Sequence, residues 1–291
     1  MNNQILKEFH SVIKTDGLHN TFIKNVKLFK TTSPIPREPL IYDLCLILVL
    51  QGEKIAYIGD QSFKYDNKNY LVVPTTLPFE CETYGTTEEE PFICILITID
   101  KRIIYELLNS IRIDTKDTKS HLGLFADSVT KDVKDITLRL LKILQSTKDS
   151  EILGDSIIKE LFYTILKGEN SSILHKVFLQ NNHESKIARV LKNIHDNYND
   201  KLDIPSLAKE EDMSVSSFHT HFKKITSYTP LQYIKNIRLN KAKGFLVNQN
   251  YKVADTAYSV GYESISQFSR DFKNYFGFTP KDAKQSVENL L

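Results

Sequence analysis

Seven residues of the chain recur at a single interval. Ser214, Ser216, Phe218, Phe222, Lys223, Thr229 and Pro230 fall, 50 positions on, upon Ser264, Ser266, Phe268, Phe272, Lys273, Thr279 and Pro280. Coincidence at one fixed offset marks a duplicated supersecondary unit. On a helical wheel Val215, Phe218, Phe222 and Ile225 of the first copy cluster on one side. Ile265, Phe268, Phe272, Tyr275 and Phe276 do so in the second, and a stripe of this kind is expected to be buried. The opposite face carries Ser216, Thr220, Lys223 and Lys224, with His219 at its flank, and in the second copy Ser266, Gln267, Arg270, Lys273 and Asn274. Such an outer face suits the major groove of a DNA duplex. Short polar groups and arginine reach base edges there, while Lys223, Lys224, Lys273 and Asn274 are placed to lie against phosphates.

To hold those faces in place each copy needs two helices and a tight turn. Ile204, Leu207 and Ala208 give a short apolar-faced helix, Met213-Ser214 the turn, and Ser214 the N-cap of the next helix. In the second copy Val253, Ala254, Ala257 and Tyr258 play the first part, and Gly261 supplies the positive φ of a sharp turn. Ser264 with Gln267 three residues on reads as a capping box. The two helix-turn-helix units span about 204–225 and 253–276. Thr229-Pro230 and Thr279-Pro280 each start a further helix. Leu231 to Val247, roughly 25 Å of helix, would set two reading helices about 34 Å apart, the distance between successive major grooves.

The rest of the 291 residues bounds the answer. Hydrophobic residues make up 41% and charged residues 25%, with Gly 10 and Pro 9, which excludes a mostly disordered or fibrous chain. Residues 184–291 hold 13 Lys and 3 Arg against 12 acids, a net +4, leaving −2 for the front. An asymmetry this small does not by itself separate a nucleic-acid binder from chance, because the footprint that counts is a clustered basic face. The longest apolar run, Ile41 to Leu50, contains Asp43 and is far short of the roughly 20 residues a spanning helix needs. Residues 1–10 lack the pattern of a signal peptide, and Cys45, Cys81 and Cys94 form no disulfide framework. A cytoplasmic, reducing compartment is expected.

The C-terminal third resembles the AraC family of bacterial transcription regulators. The resemblance rests on Ser206-Leu207-Ala208, Met213 to Lys224, Arg238-Leu239 ahead of Ala242, Val260 to Lys273, and Phe276-Gly277-Phe278-Thr279-Pro280. It implies base contact by Ser216, His219 and Thr220 in the first reading helix and by Ser266, Gln267 and Arg270 in the second. Departures are Asp212 in place of the usual turn glycine, Ser227 in place of the glycine before Thr229-Pro230, and Ala283-Lys284 in place of Tyr-Arg. The first reading helix has no arginine at its base-reading positions, so its specificity is expected to be weaker than that of the second, where Arg270 can pair bidentately with guanine.

In the first hundred residues Ile41–Leu50, Lys54–Ile58, Tyr70–Val73 and Phe92–Ile99 read as strands, broken by Gly52, Gly59-Asp60, Asp66-Asn67 and Pro74. Helical spacing follows in Val133, Ile136, Leu140, Leu141 and Leu144, and in Ile157, Ile158, Leu161, Phe162 and Ile165. A polar stretch at 180–184 reads as a linker. This half is similar to the cupin-like sensor domain of one branch of the family, through Gly52-Glu53-Lys54, Tyr70 to Pro74, Leu77-Pro78-Phe79 and Glu89 to Phe92. The fold expected is α+β and multi-domain: a cupin-like β-barrel with following helices over 1–183, for effector sensing and dimerisation, then an all-α domain over 184–291 with two helix-turn-helix units.

No histidine lies between Thr21 and Ile99, and His10, His19, His121, His175 and His183 fall outside the expected strands at no ligand spacing. Metal chemistry and an enzyme are therefore not expected, nor is any cofactor. Tyr57, Phe63, Tyr65, Tyr70 and Phe79 are candidates to line an effector cup or simply to fill a core, and the effector-binding residues stay unassigned. Cys45 and Cys94, in apolar runs, and Cys81, between Glu80 and Glu82, lack the setting of a reactive thiolate. The resemblance makes the apolar stripe of helix 132–145 the dimer contact. The function expected is a sequence-specific, effector-controlled transcription regulator, with double-stranded DNA and a second copy as partners and RNA polymerase as a candidate. The alternative is a regulator without a ligand, controlled by abundance or a protein partner.

Overall fold

The computed structural model describes residues 3–110, 123–178, 182–248 and 251–283. In chain order α1 (Asn3–Val12) precedes nine strands: β1 (Gly17–Asn20), β2 (Val26–Thr31), β3 (Glu38–Tyr42), β4 (Cys45–Gln51), β5 (Glu53–Ile58), β6 (Gln61–Asp66), β7 (Asn69–Val73), β8 (Leu77–Tyr84) and β9 (Phe92–Thr98). Then come α2 (Lys101–Ser110), β10 (Phe125–Ser128), α3 (Lys131–Ile143), α4 (Thr147–Ile165) and α5 (Ser172–Phe178). The chain continues as α6 (His183–Asp196), α7 (Ile204–Glu210), α8 (Val215–Thr226), α9 (Pro230–Asn248), α10 (Val253–Ser259) and α11 (Ile265–Phe276).

The strands form one antiparallel, curled sheet in the order β1-β2-β9-β4-β7-β6-β5-β8-β3, with β10 joined to β7. Its central strand β4 explains the unbroken apolar run in the sequence. Leu46, Leu48 and Leu50 point to a core shared with Phe9 of α1, Leu140 of α3 and Leu161 of α4. Cys45, Ile47 and Val49 point the other way, into a second core. A strand buried on both faces loses the alternation of a half-buried one. That second core does not stop at the sheet. It continues through Ile187 and Ile194 of α6 and Phe218 and Phe222 of α8 to Tyr233 and Ile237 of α9. A third core, around Leu239, Ala257, Phe268 and Phe272, lies among the last helices, with Tyr198 packed against it from just beyond α6.

Several expectations change here. Strands β1, β2, β6, β8 and β10 fall outside the expected set, and the expected strand Ile41–Leu50 divides into the end of β3 and β4, which pair with different neighbours. In β8 Pro78 and the glutamates Glu80 and Glu82 conceal an alternating strand whose Pro78 lies beyond the end of its ladder with β5, where a missing N–H costs little. His19 sits within β1. The polar stretch expected as a linker begins α6 at His183, with Asn182 as N-cap accepting from the Ser185 N–H. Gln180, Asn181, His121 and Lys284 lie outside the described residues.

The expected dimer stripe is corrected as well. Val133, Ile136, Leu140, Leu141 and Leu144 are all buried within the chain, against α1 and α4, so a partner could reach them only by unpacking this core. Nor do the five aromatics share a cup. Tyr65 and Phe79 belong to the second core, Tyr70 to the first, and Tyr57 and Phe63 are half-buried.

Candidate DNA interface

Each copy of the repeat folds into two helices joined by a tight turn, as its grammar requires. Asp203 caps α7, accepting from the Ser206 N–H at 2.9 Å. Ser214 caps α8 through the Ser217 N–H at 3.2 Å, and Ser264 caps α11 through the Gln267 N–H at 3.3 Å. The turn before α11 uses Gly261 at φ +81°. At the two departures the backbone is nonetheless left-handed, with Asp212 at φ +50° and Ser227 at φ +63°. Non-glycine residues hold that conformation at a cost of roughly 1–2 kcal/mol each.

The inner faces are aromatic and dry. Phe218, Phe222, Phe268 and Phe272 are fully buried, Phe218 tilted against Phe222 at 5.4 Å and Phe268 against Phe272 at 5.6 Å. All six base-contact candidates, Ser216, His219, Thr220, Ser266, Gln267 and Arg270, are exposed, as are Lys223, Lys224, Lys273 and Asn274. The Thr220 hydroxyl donates to the Ser216 carbonyl at 3.0 Å. Two apolar residues depart from the wheel and the pattern: Val215 is 44% exposed and Tyr258 58%.

Between the units α9 runs 19 residues, about 28 Å at 1.5 Å per residue. Its start is a reciprocal cap: the Gln232 N–H donates to the Thr229 hydroxyl at 3.3 Å, and the Thr229 N–H to the Gln232 side-chain oxygen at 3.1 Å. Arg238, half-buried in α9, donates to the Tyr198, Gly261 and Asp200 carbonyls at 2.8–2.9 Å. It ties the end of α6 and the second turn to one helix. Its spacing alone would not have exposed that role.

The reading units are docked on the sheet. The Tyr233 hydroxyl donates to the Thr76 carbonyl at 2.6 Å, and the Gly123 N–H donates to the Ile225 carbonyl at 3.1 Å. Lys243 pairs with Glu38 at 2.9 Å. A Cβ placed on Gly59 would lie 2.9 Å from Ser227 Cβ. On α8 the His221 ring stacks on His183 at 3.8 Å. Burial, and after it the charge of His183, hold the His221 pKa below the usual 6.5.

Other chemistry in the front half is buried. The three cysteines are free and buried, and burial pushes the Cys94 thiol up to about 12 and the Cys45 and Cys81 thiols upward. Lys54, also buried, donates to the Tyr42 hydroxyl at 3.0 Å. It escaped sequence reasoning because a lysine in a strand ordinarily faces water. Among the described residues no group of three His, Cys, Asp or Glu side chains could hold a metal ion, and no helix is long and apolar enough to cross a membrane.

Curled sheet, backing helices and two successive helix-turn-helix units define a multi-domain α+β protein with a helix-turn-helix reader. Comparison with known proteins adds the family. The AraC-type transcriptional regulator N-terminus matches residues 22–173, and a helix-turn-helix domain family matches residues 207–286. The chain belongs to the AraC family of transcription regulators. It is 30% identical to the HTH-type transcriptional activator RhaS of Escherichia coli over 122 residues, 41% of this chain and 44% of that protein. It is also 30% identical to the Msm operon regulatory protein of Streptococcus mutans over 134 residues, 46% of this chain and 45% of that one. The chain thus spans less than half the length of these relatives. Among solved structures, apo ToxT from Vibrio cholerae superposes with a TM-score of 0.60 at 13% identity, over 92% of this chain and 98% of that one. ToxT with a bound unsaturated fatty acid gives 0.58 at 14% identity, over 92% and 95%. At such identities the likeness is one of fold.

Proposed function

We propose that this chain is a sequence-specific DNA-binding transcription regulator whose helices α8 and α11 enter successive major grooves. The observation that carries the reading is the duplicated arrangement of a capped helix, its aromatic face buried and its Ser, His, Thr, Gln, Arg and Lys face open. Ser216, His219, Thr220, Ser266, Gln267 and Arg270 contact bases in this reading. Lys223, Lys224, Lys273 and Asn274 contact phosphates. The sheet-bearing part, about 1–183, controls the reader, about 184–291, in the cytoplasm, and neither part turns over a substrate. RNA polymerase is a further partner in the same reading. A homodimer contact falls on the exposed Ile152 and Leu153 of α4, in place of the buried stripe.

Control by a small effector is supported by the fatty acid that the similar ToxT structure holds. A second reading, control without a ligand inside the curl, has an observation of its own: Tyr65, Phe79, Phe92 and Tyr233 fill the second core. Selection of bound sequences from random duplex DNA with the full chain tests the common part. The expected product is two short blocks about one helical turn, 10–10.5 bp, apart, with affinity falling as salt rises. No enriched sequence would sink the DNA-binding reading.

A further inference from the structure

A cavity of about 340 Å³ opens where one rim of the sheet meets the helices that lead to the reader. Its volume is at the lower end of the range for small-molecule sites, about 300–1,000 Å³. Leu44 and Ile99 supply its apolar wall from the sheet, and Val177 and Phe178 supply it from α5. Tyr105 of α2, whose ring meets Phe178 edge-on at 5.7 Å, adds an aromatic side. None of the aromatics expected to line an effector cup borders it. The cavity lies at the mouth of the sheet and not within the curl.

Its charges are unevenly matched. Arg189 grips the Glu211 carboxylate through Nε and Nη2 at 2.5–3.0 Å, and Lys192 is paired with Asp196 on its own helix. Asp43 accepts from the Thr76 hydroxyl at 3.2 Å and faces His195 Nε2 at 3.5 Å. His195 Nδ1 is buried with no hydrogen-bond partner among the described residues. That leaves Lys101 at the start of α2. It is half-buried on the cavity wall, and no hydrogen bond or ion pair to it exists among the described residues. Burial, and after it the neighbouring Lys192, hold its pKa below the usual lysine value, against a smaller upward pull from Asp196.

We propose that this cavity binds a small organic anion with an apolar body, its charged end on Lys101 and its body against Leu44, Ile99, Val177, Phe178 and Tyr105. At the close-packed density of about 0.75, the cavity holds about 250 Å³ of ligand, enough for an arylalkanoate and too little for a long-chain lipid. The site also has a route to the reader. Arg189 on its wall holds Glu211, the C-cap of α7, so α6 ties an occupant to the first helix-turn-helix unit. That regulatory role rests on the function proposed above; binding of the anion does not.

The test is therefore calorimetric titration of the full chain in the absence of DNA, with 4-phenylbutyrate as probe and 4-phenylbutanol as its neutral counterpart. The acid should bind at least tenfold more tightly than the alcohol. Lys101→Met should weaken the acid about tenfold, equivalent to about 1.4 kcal/mol, and leave the alcohol unchanged, while Lys101→Arg retains the preference. Circular dichroism of each variant separates lost binding from lost fold. Equal affinity for acid and alcohol, an undiminished acid affinity in a folded Lys101→Met, or no acid binding at millimolar concentration would each overturn the proposal. Loss of DNA binding with anion binding intact would instead fault only the regulator reading.

Discussion

Gly59→Ala tests whether the reader is docked on the sheet in solution, because two separable costs meet at that residue. Gly59 sits in the β5–β6 turn at φ +58°, so any Cβ there carries a left-handed strain of roughly 1–2 kcal/mol. The same Cβ would lie 2.9 Å from Ser227 Cβ and 3.0 Å from Ser227 Oγ, at the C-cap of the first reading helix. Relieving such a clash costs about 1–3 kcal/mol more. The single substitution should therefore lower stability by about 2–5 kcal/mol. Ser227→Gly removes both the serine atoms and the left-handed strain at φ +63°, and should stabilise the chain by about 1–2 kcal/mol. In that background Gly59→Ala should cost only its own strain. Urea unfolding of the four proteins gives the coupling, expected at about 1–3 kcal/mol. A coupling below about 0.5 kcal/mol, the scatter of independent sites, would show that the two residues do not meet and that the docked arrangement is not the solution state.

Arg270→Ala should cost roughly 1–3 kcal/mol of affinity and relax preference at one base pair, whereas Lys223→Ala should weaken all sequences alike and lower the salt slope by about 1. Identical behaviour of the two variants in a binding assay would refute the division into base and phosphate contacts. With its pKa held below 6.5 in the fold, His221 binds protons better when unfolded. The stability it contributes is then complete above about pH 6.5 and lost as pH falls from there through the folded value. His221→Gln should flatten the fall of the urea midpoint between about pH 7 and 5, and an unchanged fall would refute that assignment. The buried thiols of Cys45, Cys81 and Cys94, all raised in pKa, should resist a disulfide reagent until urea unfolds the chain. Fast labelling of the folded protein would show that one of them is reachable. Ile152→Asp with Leu153→Asp should abolish self-association in sedimentation, and an unaltered dimer would move the contact elsewhere.

The reader was legible in the sequence because its signals are local. Ser214, Ser264 and Thr229 announce helix starts within three residues, and aromatic spacing fixes the buried face of α8 and α11. The sheet was legible only in part. Strands such as β4 and β9 stand out because both faces are apolar, but β6 and β8 carry charge on one face, and β8 also pairs with β5 and β3 from well back along the chain. Burial of the 132–145 stripe depends on α1, whose Ile5 and Phe9 fill the space a second copy would need. The cavity beside Lys101 is assembled from five separate segments, so no spacing within any one of them could disclose it. At Asp212 and Ser227 the departures from the glycine pattern were visible in the sequence, but the left-handed backbone that both residues keep was not.

Helix α9 belongs to two cores at once. Tyr233, Ile234 and Ile237 pack into the core that begins in the sheet, while Leu239, Ala242 and Leu246 pack into that of the last helices. The natural seam of this molecule therefore runs through the middle of one helix and not through the polar stretch near residue 182. Recombination that exchanged everything after that stretch would tear an apolar core, leaving Phe222 and Tyr233 opposite surfaces they had never fitted. A graft that carries the first reading unit along with the sheet, and joins the second unit within α9, keeps Phe222 and Tyr233 with their partners in the second core and has Tyr198 to refit against the third. Sensor and first reader would then be inherited together as one piece, with the second reader free to diverge in the sequence it prefers.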